Sequence, residues 1–472
     1  MSLARARIQD PTRHVPASMS MKNPIHSPAH FVDGALAGGA PFAVLPSAER
    51  VDPARVLVLF GTDWDDRHFP RYERSGRYRF HEHGFDLFSF PSNARLMWFN
   101  VWRFVDRMVE RYRGRIDAVF SSNEQFGALA AALVAQRLGL PGPTPEAILR
   151  AQHKYEARLH LREIAPDLCP AFELIPYTIT PEAARALRYP MFVKPVKATF
   201  SVLARRCDSP EELIQHLRFK PWEKHIIQRL IEPHNQALKR YPQFRVGSNN
   251  MVVEQLLSGR QINVDGFVHA DRVHLFGVTD EVMYEGTTAF KRFAFPGTAD
   301  PELTLRLQDA CERVLRGFDL MHGFFNLEFF VSDNGDLSLI EVNPRLAAQL
   351  AQFYEWVLGI DTYEMGFAMA LGRPLPFAQA PRFGAAASFV WRSFDGTSCP
   401  RLPRRADLDW LAHEYPEARL ELYPKKGSSL QRDIKWLGSH RWAVLNMPGR
   451  DEADLRARYE RICERFGWPA PY

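Results

Sequence analysis

The segment from Phe324 to Arg345 constrains the fold more than any other stretch of the chain. Two apolar-rich alternating runs flank Asn334-Gly335, the preferred central pair of a tight two-residue hairpin turn, because both positions there need positive φ. With the turn centred on that pair, facing residues have position numbers adding to 669, so Glu328 faces Glu341 and Asn326 faces Asn343. Period-two alternation puts these four on one sheet face and Phe325, Leu327, Phe329, Val331, Ile340 and Val342 on the other. Counting outward makes Glu328 and Glu341 a non-hydrogen-bonded pair with Cα atoms about 4.5 Å apart. Like charges directly opposite destabilise a sheet. A divalent cation held by the two carboxylates and an amide oxygen compensates; hard oxygen donors suit magnesium, with manganese as the alternative. The bland alternative is two solvated glutamates at a sheet edge. Asn343-Pro344-Arg345 weighs against it by adding an anion-binding guanidinium beside the acids.

At 472 residues the chain exceeds one compact domain, so two or three units are expected. Lysine and arginine total 60 against 55 acids, a net charge of +5. That balance is too even for a dedicated nucleic-acid binder and points to small anionic ligands or to nothing specific. Cys169, Cys207, Cys311, Cys399 and Cys463 lie far apart with no CxxC pair, which excludes a zinc knuckle or disulfide framework and suits a reducing cytoplasm. The most apolar stretch, 126–140, is interrupted by Gln136 and Arg137 and falls short of the roughly 20 residues a bilayer span needs. No membrane partner is expected. Arg5, Arg7 and Arg13, with few acids nearby, give only a faint organellar-transit character.

Residues 1–50, rich in proline, serine and small residues, read as a loosely ordered N-terminal arm with little chemistry. Buried strands are predicted at 55–60 and 116–120 and helices at 98–112 and 126–138, giving an α/β layer with parallel strands that ends near Leu140-Pro141-Gly142-Pro143. Thr144-Pro145-Glu146 opens a helix predicted to run to about Arg162 and to carry Lys154. A small α+β lobe follows, with strands at 191–194, 226–228 and 252–254 and a helix at 209–217. The rest, with strands at 262–269, 273–278 and 442–446, helices at 301–318 and near Tyr363 and Asp451, and the hairpin, forms a larger lobe. No internal repeat is evident.

With these pieces in place the chain resembles the ATP-grasp ligases from about Asp117 onward. The resemblance implies an α/β and α+β multidomain protein. A Rossmann-like domain (51–143) precedes linker helices with the first ATP lysine (144–189), a small lobe (190–258) and a large lobe with a C-terminal subdomain (259–472). It implies Glu328, Glu341 and Asn343 as magnesium ligands and Arg345 at the transferred phosphate or substrate. Pro141-Gly142-Pro143 to Lys154, and Phe192-Val193-Lys194-Pro195, match the two phosphate-binding lysines. Val252 to Gly259 matches the hinge that reads adenine with Glu254 and the backbone of Gln255 and Leu256. The family's ribose-gripping acid has no counterpart, since Arg260 and Gln261 stand there; Gln261 is the nearest substitute. The phosphate-covering loop, usually glycine-rich, is Val196-Lys197-Ala198-Thr199-Phe200-Ser201, so Lys197, Thr199 and Ser201 would donate in place of backbone N–H groups, with Phe200 as lid or core.

The implied function is ATP-dependent activation of a carboxylate as an acyl phosphate, followed by attack of an amine. Arg345 and Lys194 would be the catalytic groups, the substrates would be small molecules, and a homodimer is left open. Glu281 is a candidate for holding an ammonium group of the substrate and Tyr284 for walling its pocket, with a solvated loop as the alternative for both, and Arg292, Gln349 and Tyr354 are further candidates for lining it. Two alternatives stand. One is a biotin carboxylase-like enzyme, whose bicarbonate-activating acid Leu346-Ala347-Ala348-Gln349 does not supply. The other is a nucleotide-binding regulatory module without catalysis, which the glycine-free loop and Gln261 favour. No Cys/His or Ser/His/Asp constellation emerges from the scattered cysteines and 16 histidines.

Overall fold

A computed structural model of the chain describes residues 52–87, 91–199, 201–396 and 401–472. The N-terminal arm with Arg5, Arg7 and Arg13, the loop residue Phe200, and Cys399 lie outside the described residues.

The first unit is a three-stranded parallel sheet in the order β2-β1-β3, from β1 (Ala54–Leu59), β2 (Tyr78–His83) and β3 (Ala118–Phe120). β1 and β3 fall on the strands predicted at 55–60 and 116–120, and β2 is an additional strand. Its polar YRFHEH pattern suits an edge strand, where only one side pairs. The helices Val101–Tyr112 and Gly127–Leu138 pack on this sheet.

The second unit is a four-stranded sheet in the order β4-β7-β5-β6, built from β4 (Phe172–Pro176), β5 (Met191–Pro195), β6 (Arg205–Cys207) and β7 (Asn250–Gln255). Because β4 pairs with β7, this sheet begins inside the stretch read as linker helices. Residues 226–228, read as a strand, lie instead within the helix Pro221–Leu238. A short apolar run carries no periodicity of its own, and Pro221 at the first helical turn, with the Glu223 carboxylate accepting from Lys220 N–H (2.8 Å), decides the matter.

The third unit is an eight-stranded antiparallel sheet in the order β12-β11-β8-β9-β10-β13-β15-β14. Its strands are β8 (Arg260–His269), β9 (Arg272–Met283), β10 (Phe290–Phe295), β11 (Gly323–Val331), β12 (Leu337–Asn343), β13 (Ala385–Ser393), β14 (Arg419–Leu422) and β15 (His440–Gly449). One face is apolar: Ile262, Val264, Leu327 and Phe329 are wholly buried in a core shared with the helix Pro301–Gly317. Each such side chain contributes about 1.5–3 kcal/mol relative to exposure. The opposite face carries the polar residues.

The β11–β12 hairpin corrects the expected turn. Ser332 N–H donates to Asp336 O (2.9 Å) and Gly335 N–H to Ser332 O (2.8 Å), which leaves a three-residue loop, Asp333-Asn334-Gly335. Of these only Gly335 has positive φ, at 85°. Next to the loop, Val331 faces Leu337 and Phe329 faces Leu339, one step off the expected register. A bulge between Phe329 and Glu328 then takes up one residue, Ile340, and restores the pairs Glu328–Glu341 and Asn326–Asn343. The count that made Glu328–Glu341 a non-hydrogen-bonded pair loses its basis, and Leu339 rather than Ile340 joins the core.

Candidate active site

Lys154 owes its place to a break in the chain. The helix opened by Thr144, whose hydroxyl accepts from Ala147 N–H (3.2 Å), ends at Gln152, and a new helix, Lys154–Ile164, starts after His153. His153 caps it through Nδ1, which accepts from Glu156 N–H (3.1 Å). The single helix expected over 145–162 is thus two. The break frees Lys154 N–H to donate to Val196 O (3.0 Å), which ties the helix start to the end of β5. Lys154 Nζ lies 2.7 Å from Glu341 Oε1 and donates to Ala198 O (2.8 Å).

Lys194 on β5 and Glu254 on β7 are diagonal neighbours on one face, since Phe192 faces Glu254. Lys194 Nζ meets Glu254 Oε2 at 2.8 Å, and Arg158 Nε meets the other oxygen at 2.7 Å. Both cations also donate to the bulged Ile340 carbonyl, Arg158 Nη2 at 2.7 Å and Lys194 Nζ at 3.3 Å. Burial works to raise the Glu254 pKa, but Arg158 and Lys194 outweigh it and hold the carboxyl at about 2. Burial pushes Lys194 down. Arg158 escaped the sequence reading, although it stands four residues after Lys154 on the same helix face.

Along the polar face of the large sheet, Asn343 Nδ2 donates to Glu328 Oε1 (3.1 Å) and Asn326 Oδ1 (3.0 Å), and Asn326 Nδ2 donates to Asp265 Oδ1 (3.1 Å). Gln261, expected near ribose, approaches Glu328 Oε2 at 3.5 Å. Glu281 lies on β9 rather than in a loop and accepts from Asn263 Nδ2 (2.6 Å). Burial and then Glu341 raise the Glu328 pKa to about 7, and burial and then Glu328 raise Glu281 well above the carboxylate range. Burial would also raise Glu341, yet Lys154 and Lys194 hold it low. Since the folded pKa of Glu328 exceeds its ordinary 4.5, its ionisation removes stability as pH rises from about 4.5 to 7. Glu328→Gln is therefore expected to raise the melting temperature at pH 8 more than at pH 5; equal shifts would show that Glu328 is not under this repulsion.

These residues fit a hard cation. Buried Glu281 Oε2, Asp265 Oδ2 and Asn263 Oδ1 on the same face lack hydrogen-bond donors. Among the described residues no group of three His, Cys, Asp or Glu side chains is placed to cage an ion. Magnesium takes one or two carboxylates and completes its shell with water and phosphate oxygens.

The remaining expected residues divide. Lys197, whose pKa burial lowers to about 8, donates to Glu124 O (3.1 Å) and lies 4.0 Å from Glu124 Oε1. Thr199 Oγ1 donates to Gln125 Oε1 (3.2 Å), so the loop after β5 is tied to the first unit. Ser201 is exposed with φ 54°. Arg345 Nε lies 3.3 Å from Glu124 Oε2. Gln255 is exposed, and its N–H is taken by Ala171 O (2.8 Å), so it is not available to read adenine; Leu256 is half-buried.

Tyr284 donates its hydroxyl to Val390 O (2.9 Å). Gln349 Nε2 donates to Ser388 Oγ (2.8 Å) on the polar face, and Tyr354 is buried beside Asp265. Arg292 departs from expectation: it faces Val282 and Phe389 while its neighbour Phe293 faces Glu281, so it points to the opposite side of the sheet. There its guanidinium lies 3.9 Å from the Tyr472 ring centroid. Glu124, absent from the sequence reading, follows β3 at the carboxyl end of the parallel sheet, where ligands of such sheets bind.

The ATP-grasp domain family model matches residues 187–352, which hold Lys194, Glu254 and the hairpin. The chain is 24% identical over 355 residues to the uncharacterized protein y4rH of Sinorhizobium fredii (strain NBRC 101917 / NGR234), covering 75% of this chain and 68% of that protein. It is 27% identical over 292 residues to carnosine synthase 1 of Gallus gallus, covering 59% of this chain but only 30% of the synthase. Its fold matches the crystal structure of an L-amino acid ligase from Bacillus licheniformis with a TM-score of 0.62 at 15% identity, over 88% of this chain and 98% of the ligase. Domain match and fold agree with the lysines and hairpin acids described above: residues 187–352 form an ATP-grasp domain.

Proposed function

We propose that the chain is an ATP-dependent carboxylate–amine ligase that passes through an acyl phosphate and releases ADP and phosphate. The observation that carries this is a set of four cations at the hairpin that bears Glu328 and Glu341: Lys154 pairs with Glu341, Lys194 donates to Ile340 O, and Lys197 and Arg345 pair with neighbouring Glu124. Four cations near two half-buried carboxylates suit a metal-bound polyphosphate better than any neutral ligand. A substrate carboxylate oxygen bonds to the γ-phosphorus as ADP leaves. An amine nitrogen then bonds to the acyl carbon as phosphate leaves, and the nitrogen gives up a proton.

Glu328, Glu341 and Asn343 would hold magnesium, or manganese, which when bound neutralises phosphate charge. Lys154, beside Glu341, and Lys194, beside the Ile340 carbonyl, would orient the phosphates, Lys154 exchanging its contact with Glu341 for a phosphate oxygen while Lys194 stays paired with Glu254. Arg345 would steady the acyl phosphate. Among the described residues Cys169, Cys207, Cys311 and Cys463 are free thiols, which supports a cytoplasmic setting, and no helix is long and apolar enough to cross a membrane.

The test offers the twenty proteinogenic amino acids and β-alanine in pairs, with ATP and magnesium, and reads ADP and phosphate. Release driven by an amine is expected. Release driven by bicarbonate alone would make the chain a carboxylase, and nucleotide binding without any ADP formation would make it a regulatory module. Arg345→Lys is expected to lower turnover at least tenfold, because an ammonium cannot make the two-pronged contact of a guanidinium; unchanged turnover would remove Arg345 from the reaction centre.

A further inference from the structure

Glu124 stands on a loop with little freedom. Asn123 Oδ1 accepts from Phe126 N–H (3.0 Å) and Gly127 N–H (3.2 Å), and a Cβ on Gly127 would come within 2.0 Å of Ser121 Oγ and 2.9 Å of Leu59 O. The sharp passage from β3 into the next helix therefore needs glycine and fixes where Glu124 points. Its side chain is only 10% exposed. Gln152 Nε2 donates to Oε1 (2.9 Å) and to the main-chain oxygen (2.8 Å), whereas Oε2, 3.3 Å from Arg345 Nε, is buried without a hydrogen-bond donor. An acceptor held in place beside Arg345 and left open calls for a donor from a ligand.

The other groups around the reaction centre narrow what that ligand is. Lys154, Lys194, Lys197 and Arg345 are cations and would repel a protonated amine. Both Glu254 oxygens are taken, and Glu328 and Glu341 are given to the metal. Glu281 Oε2 and Asp265 Oδ2 are open as well, on the polar face of the large sheet, whereas Glu124 Oε2 is the open oxygen 3.3 Å from Arg345 Nε.

Resting on the ligase reading above, we infer that Glu124 binds the ammonium group of the incoming nucleophile through Oε2 and takes its proton, delivering the free amine to the acyl phosphate beside Arg345. The carboxylate accepts one proton from the ammonium. The nitrogen lone pair then forms the C–N bond as the acyl C–O bond to phosphate breaks, and the second nitrogen proton leaves with the phosphate. Glu124 returns its proton to solvent when the product departs.

Hydroxylamine separates this role from a purely structural one, because it is uncharged at neutral pH and needs neither an ammonium site nor a proton acceptor before attack. With the most active pair of the panel, Glu124→Gln is expected to lower the ratio of amide formation to hydroxamate formation at least a hundredfold at pH 7.5. The lost amide formation should partly return as pH rises and the free amine accumulates. Glu124→Asp, which keeps the charge and serves also if the glutamine variant does not fold, should lower the ratio by less and show the same pH recovery. An unchanged ratio in the variant that folds, whether both activities persist or both fall together, would overturn the assignment and leave the ligase reading standing. Absence of hydroxamate from the wild-type chain with every acid of the panel would overturn the ligase reading and this inference with it.

Discussion

Glu341→Gln is expected to reduce magnesium-dependent ADP release by roughly a hundredfold or more while leaving the fold intact. Metal-assisted charge neutralisation supplies several kcal/mol to a transferring phosphoryl group, and each 1.4 kcal/mol or so is a factor of about ten in rate. Glutamine keeps the shape of the side chain but removes its negative charge, so it deprives both the metal and Lys154, 2.7 Å away, of their partner. The effect on stability should be small by comparison. Lys154 keeps its bond to Ala198 O, and the loss of a negative charge relieves Glu328, whose pKa Glu341 helps to raise. Steady-state ADP release across a magnesium titration, with circular dichroism as the fold control, decides the point. Wild-type turnover in the variant would mean that the hairpin acids do not hold the metal.

The pairing of Glu328 with Glu341 shows what the sequence could and could not carry. Alternation and the Asn334-Gly335 pair located the hairpin, and polar residues at alternate positions identified the face. The expected pair emerged even though the turn is one residue longer, because the bulge at Ile340 cancels that difference. Neither glycine nor proline marks Ile340. What accompanies the bulge is a pair of cations from other units, Arg158 and Lys194, that meet the exposed carbonyl. A tertiary partner of this kind leaves no local signature.

The break at His153 has the same origin, since Lys154 N–H leaves the helical pattern to meet Val196 O of the small lobe. Arg158 and Glu124 were legible in principle, one from its four-residue spacing to Lys154 and the other from its place after a parallel strand. No strand is predicted over 290–295, so nothing in the sequence set the face on which the pocket candidate Arg292 stands. Strong local patterns thus located the hairpin and the segments that carry Lys154 and Lys194, but not the edge strand β2 or the helix over 226–228, and long-range contacts decided where breaks and bulges fall.

Glu254 carries the second large effect, and it distinguishes a structural carboxylate from a nucleotide-reading one. Removing one member of a buried ion pair typically costs about 3–5 kcal/mol, because the partner stays buried and unpaired. Glu254→Ala strands two cations, Arg158 and Lys194, whose charged groups lie almost wholly inside the protein. The loss should be local to the junction of the small sheet with the helix Lys154–Ile164, so hydrogen exchange of β5 and β7 is a sharper readout than global melting of a multi-unit chain.

The wild type adds a pH signature. The folded pKa of Glu254, about 2, lies below its ordinary 4.5, so the stabilisation it provides is fully present above pH 4.5 and fades as pH falls towards 2. Protection of β5 and β7 should therefore weaken between those values in the wild type and stay flat in Glu254→Ala. A variant that lost affinity for ADP yet kept wild-type protection and wild-type pH dependence would show instead that Glu254 reads the adenine edge and that its contacts with Arg158 and Lys194 contribute little to holding the lobe in place.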